Sequence, residues 1–141
     1  MKEKGFSLLE VLTAISIMGI LLTLSLPALQ RMAPKYQLKR ATREITSRLT
    51  YAKNKAIFQG TKFKVKFYKD GYAVEKFDSI QNEWKQEEKT ILERVDISAN
   101  NSPTFHPNGT VSNLASIYVS NSTGKYKITI AISGRIKAAK I

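Results

Sequence analysis

One carboxylate lies inside the apolar segment near the start of the chain. Between Gly5 and Gln30 the only ionisable side chain is Glu10. A carboxylate inside a membrane-spanning helix costs on the order of 2.5–3.5 kcal/mol on insertion scales. Because no Lys, Arg or His lies one or two helical turns away, the pairing group must come from another chain or from a newly made chain terminus. Glu10 therefore predicts an ionic contact between molecules.

A second group of candidate residues is the basic C-terminal end. No acidic residue follows Asp96. The cations that do follow it are Lys125, Lys127, Arg135, Lys137 and Lys140. Arg135 and Lys137 are two residues apart in an extended segment, so their side chains should point the same way. Such a segment can bind a polyanion by counterion release, without sequence preference; the alternative is that the cations only keep an edge strand soluble.

Catalytic and metal-binding patterns are missing from the sequence. The chain has no Cys and one His, which excludes disulfides, thiolate zinc sites and cysteine nucleophiles. His106, in Phe-His-Pro-Asn-Gly, is expected to shape a turn rather than to bind a metal. The neighbouring Glu87 and Glu88 do not have the spacing of an acid/base pair. Asn108 and Asn121 begin glycosylation sequons, but we expect turns there. The sequence predicts no enzyme and no cofactor.

The charge is confined to one part of the chain. The formal net charge is +12, with a pI near 10.0, over 141 residues, a length suited to one small domain. The first five residues carry a balance of +1, which Glu10 cancels, so the whole excess lies in residues 31–141. With 43% hydrophobic residues, that part can build a core.

Residues 6–29 are long and apolar enough to cross a membrane as a helix. A cleaved secretory signal is the alternative, but its apolar core is usually shorter, and Leu26-Pro27-Ala28 lacks a small residue at the first position of a cleavage site. Pro27 either kinks or locally melts the helix or marks its end at the membrane surface. More positive charge follows the span than precedes it, so the positive-inside rule alone places the domain in the cytoplasm.

An amphipathic helix is predicted directly after the span. Its apolar positions recur every three or four residues and are Leu38, Ala41, Ile45, Leu49, Ala52 and Ala56. Lys39, Arg40 and Arg43 fall on the far side of this helix, which either is solvated or meets an acidic partner. Gly60 is the expected stop.

An antiparallel sheet should follow the helix. In residues 61–68, TKFKVKFY, apolar residues alternate with lysines, which are expected to protect a sheet edge or to contact a polyanion. Residues 69–71 form the turn of a hairpin with residues 72–77. Further strands are predicted at 90–97, 104–105 and 115–120, and the last at 125–132. The predicted class is α+β, with a long N-terminal helix packed on a C-terminal antiparallel sheet domain.

Lys4-Gly5-Phe6-Ser7-Leu8-Leu9-Glu10-Val11 resembles the type III signal of type IV pilins and type II secretion pseudopilins. The resemblance implies cleavage between Gly5 and Phe6 by a prepilin peptidase, and N-methylation of Phe6. It also implies that Glu10 attracts the terminal amine of a neighbouring subunit during assembly, and that the helix curves or melts at Pro27 in a filament. It places the leader in the cytoplasm and the domain outside, against the positive-inside rule.

The later motifs resemble the GspH/FimT group of minor pilins and pseudopilins. They are the KFYKDGY hairpin, Phe105-His106-Pro107-Asn108-Gly109 and Ser133-Gly134-Arg135. Some members bind DNA through a C-terminal Gly-Arg-x-Arg motif, which here reads Gly134-Arg135-Ile136-Lys137. Lysine keeps the charge but loses the planar fork of arginine. The expected DNA-binding residues are Arg135, Lys137, Gly134, Lys125, Lys127 and Lys140.

The chain is therefore expected to have four parts: a leader (1–5), a transmembrane and assembly helix (6–30), a basic amphipathic helix (31–60) and a β domain with a basic tail (61–141). The resemblance implies a single-pass protein of the inner membrane that enters a pilus or pseudopilus, with other subunits, the prepilin peptidase and DNA as partners. The alternative is a purely structural tip or priming subunit of a type II secretion pseudopilus that binds no nucleic acid.

Overall fold

The computed structural model describes residues 7–141, except for the side chains of residues 26, 28, 29 and 31. In this part of the chain there is one helix, α1, Leu8–Gln59, followed by nine strands. The chain divides into a unit that ends at Ala33 and a compact unit, Pro34–Ile141. Within the first unit, Leu8–Ser25 is long and apolar enough to cross a membrane, and all of its side chains are exposed.

The second half of α1 presents the predicted apolar stripe to the core. All six stripe residues are buried: Leu38, Ala41, Ile45, Leu49, Ala52 and Ala56. The helix ends at Gln59, and Gly60 has a φ of 61°, the left-handed conformation that commonly ends helices. The amphipathic helix and its stop are confirmed.

The strands form two antiparallel sheets. Their bounds are β1 Phe63–Tyr68, β2 Gly71–Asp78, β3 Glu83–Ile91, β4 Asp96–Ala99, β5 Thr104–Phe105, β6 Val111–Ser112, β7 Ser116–Asn121, β8 Gly124–Ile130 and β9 Ile136–Lys140. Sheet A has the order β3-β2-β1-β5-β6, and sheet B has the order β4-β7-β8-β9. The β1–β2 hairpin was predicted and is confirmed, as are strands near 104–105 and 115–120.

A single core joins the helix stripe to both sheets. Sheet A contributes the fully buried rings of Phe63, Tyr72 and Phe105, and sheet B contributes Ile117 and Ile128. All core residues lie within the compact unit that starts at Pro34. This unit therefore contains a complete core and should fold without the apolar segment.

Two strand predictions are wrong. Residues 90–97 do not form one strand, because β3 ends at Ile91 and β4 begins at Asp96. β3 is an edge strand with mostly exposed side chains, so it lacks the apolar alternation that would mark it in sequence. The strand predicted at 125–132 is not the last, since β9 follows it; β9 is also an exposed edge strand, and its alanines and lysines give no apolar signal.

The prediction that the β1 lysines protect a sheet edge is also wrong. β1 is the central strand of sheet A, and its lysines face a carboxylate on β2. Glu75 is buried, with Oε1 2.7 Å from Lys66 Nζ and Oε2 3.7 Å from Lys64 Nζ. Lys64 Nζ also lies 3.7 Å from the centre of the Trp84 ring. Burial lowers the pKa of Lys64, whereas the hydrogen bond to Glu75 raises the pKa of Lys66.

Glu75→Gln should destabilise the Pro34–Ile141 unit by about 1–3 kcal/mol, because Lys64 stays largely buried beside Lys66 without a counter-charge. Urea unfolding followed by circular dichroism measures the change. Glu83→Gln is the matched control, since Glu83 is exposed on β3 and makes no ion pair among the described residues. Equal unfolding midpoints for the two variants would show that the charge of Glu75 contributes nothing to stability.

Candidate functional site

Glu10 lies in the first turn of α1, where the backbone N–H groups of Glu10 and Val11 both donate to the carbonyl of Ser7. A carboxylate there interacts favourably with the helix dipole. Glu10 is exposed and makes no ion pair among residues 7–141. Gly5 and Phe6, the predicted cleavage and methylation residues, lie outside the described residues.

Pro27 lies inside α1 and does not end it. The helix continues without interruption from Leu8 to Gln59. Of the two sequence interpretations, the helix end at the membrane surface is therefore wrong. Pro27 still lacks an N–H donor and thus removes one hydrogen bond from the helix.

Four of the predicted cations share one face of sheet B. Lys127 is opposite Ala139, Lys137 is opposite Thr129, and Lys125 and Lys127 are two residues apart on β8. Side chains that alternate along a strand and pair across it point to the same side. The carbonyl of Arg135 accepts a hydrogen bond from Ala131, one step beyond the β8–β9 ladder, so Arg135 continues the same alternation. We call this surface the basic face; its cations are Lys125, Lys127, Arg135 and Lys137.

Lys140 does not belong to the basic face. It is opposite Tyr126, which packs against the core on the helix side of sheet B. Its Cε lies 3.6 Å from the position that a Cβ on Gly124 would occupy, and the Leu38 side chain lies 3.9 Å from the same point. Lys140 is therefore on the opposite side of β9 from Lys137, and a ligand on the basic face cannot meet both directly.

Gly134 is buried and shapes the turn between β8 and β9. Its φ is 73°, and a Cβ added there would lie 2.6 Å from the carbonyl oxygen of Gly109 and 2.8 Å from Lys53 Nζ. Both the left-handed conformation and the lack of space require glycine. The motifs at 105–109 and 133–135 are thus in contact, although the sequence gives no sign that they meet.

Lys53 is a positioning residue that the sequence interpretation missed. Its ammonium group donates to the carbonyl oxygens of Gly134 at 3.2 Å and Ser133 at 3.4 Å, and so fixes the turn that carries Arg135. Lys53 is one of several cations on α1 and its partners lie about 80 residues later in the chain. Because these contacts exist only in the folded state, sequence spacing cannot reveal them.

Tyr118 is a second residue that was missed. It lies on β7, opposite Lys127 of β8 on one side and Ser98 of β4 on the other, so its side chain belongs to the basic face. Lys125 Nζ is 4.5 Å and Lys127 Nζ is 5.6 Å from the centre of its ring. In the sequence Lys125 and Lys127 flank Tyr126 and not Tyr118, so no local pattern identifies Tyr118.

Carboxylates are concentrated on sheet A and the adjoining helix flank. Glu88 binds Arg48 at 2.8 Å and Glu87 binds Lys55 at 3.0 Å, so these two glutamates make structural ion pairs. On sheet B the only side-chain carboxylate is that of Asp96, on the edge strand β4 opposite Ser120. No cation of the basic face makes an ion pair among the described residues, so its positive potential is little compensated.

The remaining polar motifs form turns. His106 Nε2 lies 2.8 Å from the Ser112 hydroxyl, and the backbone N–H of Gly109 donates to the His106 carbonyl. Asn108 and Asn121 each accept hydrogen bonds from the residue two positions later. The predicted turns at these residues are confirmed. Within residues 7–141, no group of three or more His, Cys, Asp or Glu side chains is placed to hold a metal ion.

Comparison with known proteins finds matches both to the N-terminal segment and to the fold of the chain. Residues 1–26 match the family described as the prokaryotic N-terminal methylation motif. No curated protein sequence matches the chain significantly. The fold is similar to that of the minor pseudopilin EpsH from the type 2 secretion system of Vibrio cholerae, with a TM-score of 0.64 and 13% identity over 74% of this chain and 97% of that chain.

The type IV minor pilin FimU of Pseudomonas aeruginosa is similar as well. Its TM-score is 0.62 and its identity 17%, over 74% of this chain and 90% of that chain. At these identities the likeness establishes the fold. The α+β class and the resemblance to type IV pilin-like minor pilins and pseudopilins are confirmed, by the fold and by the N-terminal motif.

Gly134→Ala should destabilise the Pro34–Ile141 unit by about 2–4 kcal/mol, because the added methyl group combines left-handed strain with overlap on the Gly109 carbonyl. Gly60→Ala is the matched control: Gly60 also has a positive φ, but a Cβ there meets nothing within 4 Å. Its cost should be about 1 kcal/mol, from strain alone. Urea unfolding compares the two, and equal losses would contradict the close packing around Gly134.

Proposed function

We propose that the protein is a minor pilin or pseudopilin of the GspH/FimT type, a subunit of a type IV pilus or of a type II secretion pseudopilus. The observation that carries this proposal is the presence, on one chain, of the N-terminal methylation motif and of the fold of minor pilins and pseudopilins. The proposed role is assembly and binding.

Processing and assembly follow from the N-terminal residues. In the proposed mechanism a prepilin peptidase cleaves between Gly5 and Phe6, and the new amine of Phe6 is methylated. The exposed carboxylate of Glu10, in an otherwise apolar helix, pairs with the terminal amine of a neighbouring subunit. The pair neutralises two charges that would each be costly in a low-dielectric environment, which favours a subunit packed in register. Pro27 then allows the helix to adapt as it packs.

We also propose a location and orientation. Leu8–Ser25 anchors the chain in the inner membrane, with the leader in the cytoplasm and the Pro34–Ile141 unit outside. The positive charges after the span oppose this orientation under the positive-inside rule. Assembly then transfers the apolar segment from lipid to contacts with the helices of neighbouring subunits.

DNA binding is the finer part of the proposal. The observation that favours it is the basic face, where four cations share one surface and the only side-chain carboxylate on the sheet is at its far edge. Arg135 and Lys137 supply the motif cations, and Lys125 and Lys127 extend the charge along β8. Contacts of this kind bind phosphates without reading sequence. A purely structural tip or priming subunit remains the alternative.

Mass spectrometry of the full-length protein, expressed with a prepilin peptidase, should find a mature chain that begins with methylated Phe6. An intact Met1, or cleavage after Ala28, would refute the prepilin assignment. In a host that also assembles the filament, Glu10→Gln should be cleaved normally but should be lost from sheared filaments, because the neutral amide cannot neutralise a neighbouring amine.

Thr13→Ala is the control for Glu10→Gln, since Thr13 lies in the next turn of α1 and is also exposed. It should be cleaved and assembled like the parent. Normal assembly of Glu10→Gln would show that the carboxylate is not needed, whatever the result for processing.

The isolated Pro34–Ile141 unit should bind duplex DNA at low salt, with an affinity that falls steeply as salt rises. Fluorescence anisotropy at several salt concentrations gives the slope of log K against log salt. Arg135→Ala with Lys137→Ala should flatten that slope by roughly one to two units.

Lys39→Ala with Arg40→Ala is the control: it removes the same charge from the exposed helix surface and should leave the slope nearly unchanged. Equal effects of the two pairs would exclude a site on the basic face; no binding at low salt would favour the structural alternative.

A further inference from the structure

The basic face combines an aromatic ring with cations that make no ion pair within residues 7–141. Tyr118 lies on β7, an inner strand of sheet B, and its side chain is partly exposed. Lys125 and Lys127 each place an ammonium group within 6 Å of the ring centre. Of the strands beside β7, one carries these lysines and the other presents the small side chain of Ser98. The ring is thus open on the β4 side and flanked by cations on the β8 side.

The other sheet shows what a purely structural pairing of lysine and aromatic ring looks like. On sheet A, Lys64 lies over Trp84, but its ammonium group is mostly buried and faces the Glu75 carboxylate. That charge is already neutralised, and the ring stacks at an angle against Phe77. Lys125 and Lys127 have no such carboxylate, and Tyr118 has no aromatic neighbour within the described residues. The arrangement on sheet B therefore keeps both its charge and its ring available to a ligand.

A ligand that binds both the Tyr118 ring and the lysine ammonium groups carries phosphates and accessible flat rings. Duplex DNA offers the phosphates, but its base faces are stacked on one another. A single strand exposes both, and aromatic side chains on basic protein surfaces stack on its bases with little sequence preference. We propose that the basic face binds single-stranded DNA, with Tyr118 stacked on one unpaired base and the cations of Lys125 and Lys127 moved from the ring to the flanking phosphates. This inference rests on the proposed DNA binding and specifies its form.

The geometry of the face sets the path of the strand. Asp96 lies opposite Ser120 at the outer edge of β4, which disfavours phosphates at that edge. Lys137 and Arg135 lie on the β9 side, beyond Lys127. With strands about 4.8 Å apart, the cations of β8 and β9 form a band next to the tyrosine. The phosphates are therefore expected to follow β8 and β9, while the base at the centre lies over β7.

The test compares an oligothymidine of about ten nucleotides with an abasic oligomer of the same length, which carries the same phosphates but no rings. Both are titrated against the isolated Pro34–Ile141 unit by fluorescence anisotropy at one low salt concentration. The parent should bind the oligothymidine at least fivefold more tightly than the abasic strand. Tyr118→Ala should remove that difference and leave abasic and duplex binding nearly unchanged, whereas Tyr118→Phe should keep it, because the ring is what stacks.

Tyr68→Ala is the matched control. Tyr68 is an exposed tyrosine on sheet A with Lys89 Nζ 5.4 Å from its ring centre, so it loses the same group in a similar setting. It should not change the preference for the oligothymidine. The unfolding midpoint of each variant shows whether Tyr118→Ala remains folded, and Tyr118→Phe reports on the ring where alanine unfolds the unit.

Equal binding of oligothymidine and abasic strand by the parent would overturn the inference while leaving phosphate binding intact. So would a preference that survives Tyr118→Ala. If the parent binds neither the oligothymidine, nor the abasic strand, nor duplex DNA, the proposed DNA binding itself would instead be overturned. The two failures are therefore distinguishable in a single set of titrations.

Discussion

The contact between one stripe of helix α1 and the inner faces of two sheets is the constraint on which the domain depends. The stripe combines large and small residues, with Leu38, Ile45 and Leu49 filling space and alanines letting the strands approach. Neither sheet has another apolar partner in the described part of the chain, so each is covered only because it packs on this stripe and on the other sheet's side chains. Since the same helix begins in the exposed apolar segment, the element that organises the core is also the one proposed to enter the filament.

The exposed ion pairs of the domain affect the distribution of surface charge more than they affect the stability of the fold. Exposed ion pairs such as Arg48 with Glu88 contribute little to stability. They do, however, neutralise the cations on the helix flank next to sheet A, and Glu75 does the same for β1. The excess of +12 therefore belongs mainly to sheet B and to the exposed helix residues Lys39, Arg40 and Arg43. A net charge read from composition could not distinguish these two surfaces.

The elements that were predicted correctly from the sequence are those marked by short-range patterns. The helix stripe repeats every three or four residues, and the β1–β2 hairpin is marked by alternation around Gly71, so both are visible within about twenty residues of chain. β3 and β9 were missed or misplaced because edge strands with exposed side chains have no apolar period. The contact of Gly134 with Gly109 and the role of Lys53 depend on residues distant in sequence, and no local pattern encodes them.

The Gly-Arg-x-Lys segment is a case in which a motif residue has a different physical role from its neighbours. Gly134 is buried. Because it has no side chain, the 105–109 turn and Lys53 can pack closely around its backbone. That packing holds the carbonyl of Arg135 in its hydrogen bond with the Ala131 N–H, one step beyond the β8–β9 ladder, and so directs the arginine to the same side as Lys137. A loop ordered before binding loses less conformational entropy when it contacts a ligand. The lysine at 137 lacks the fork of arginine, so the proposed affinity of this surface for DNA depends on a rigid turn and a broad band of single charges rather than on one bidentate contact.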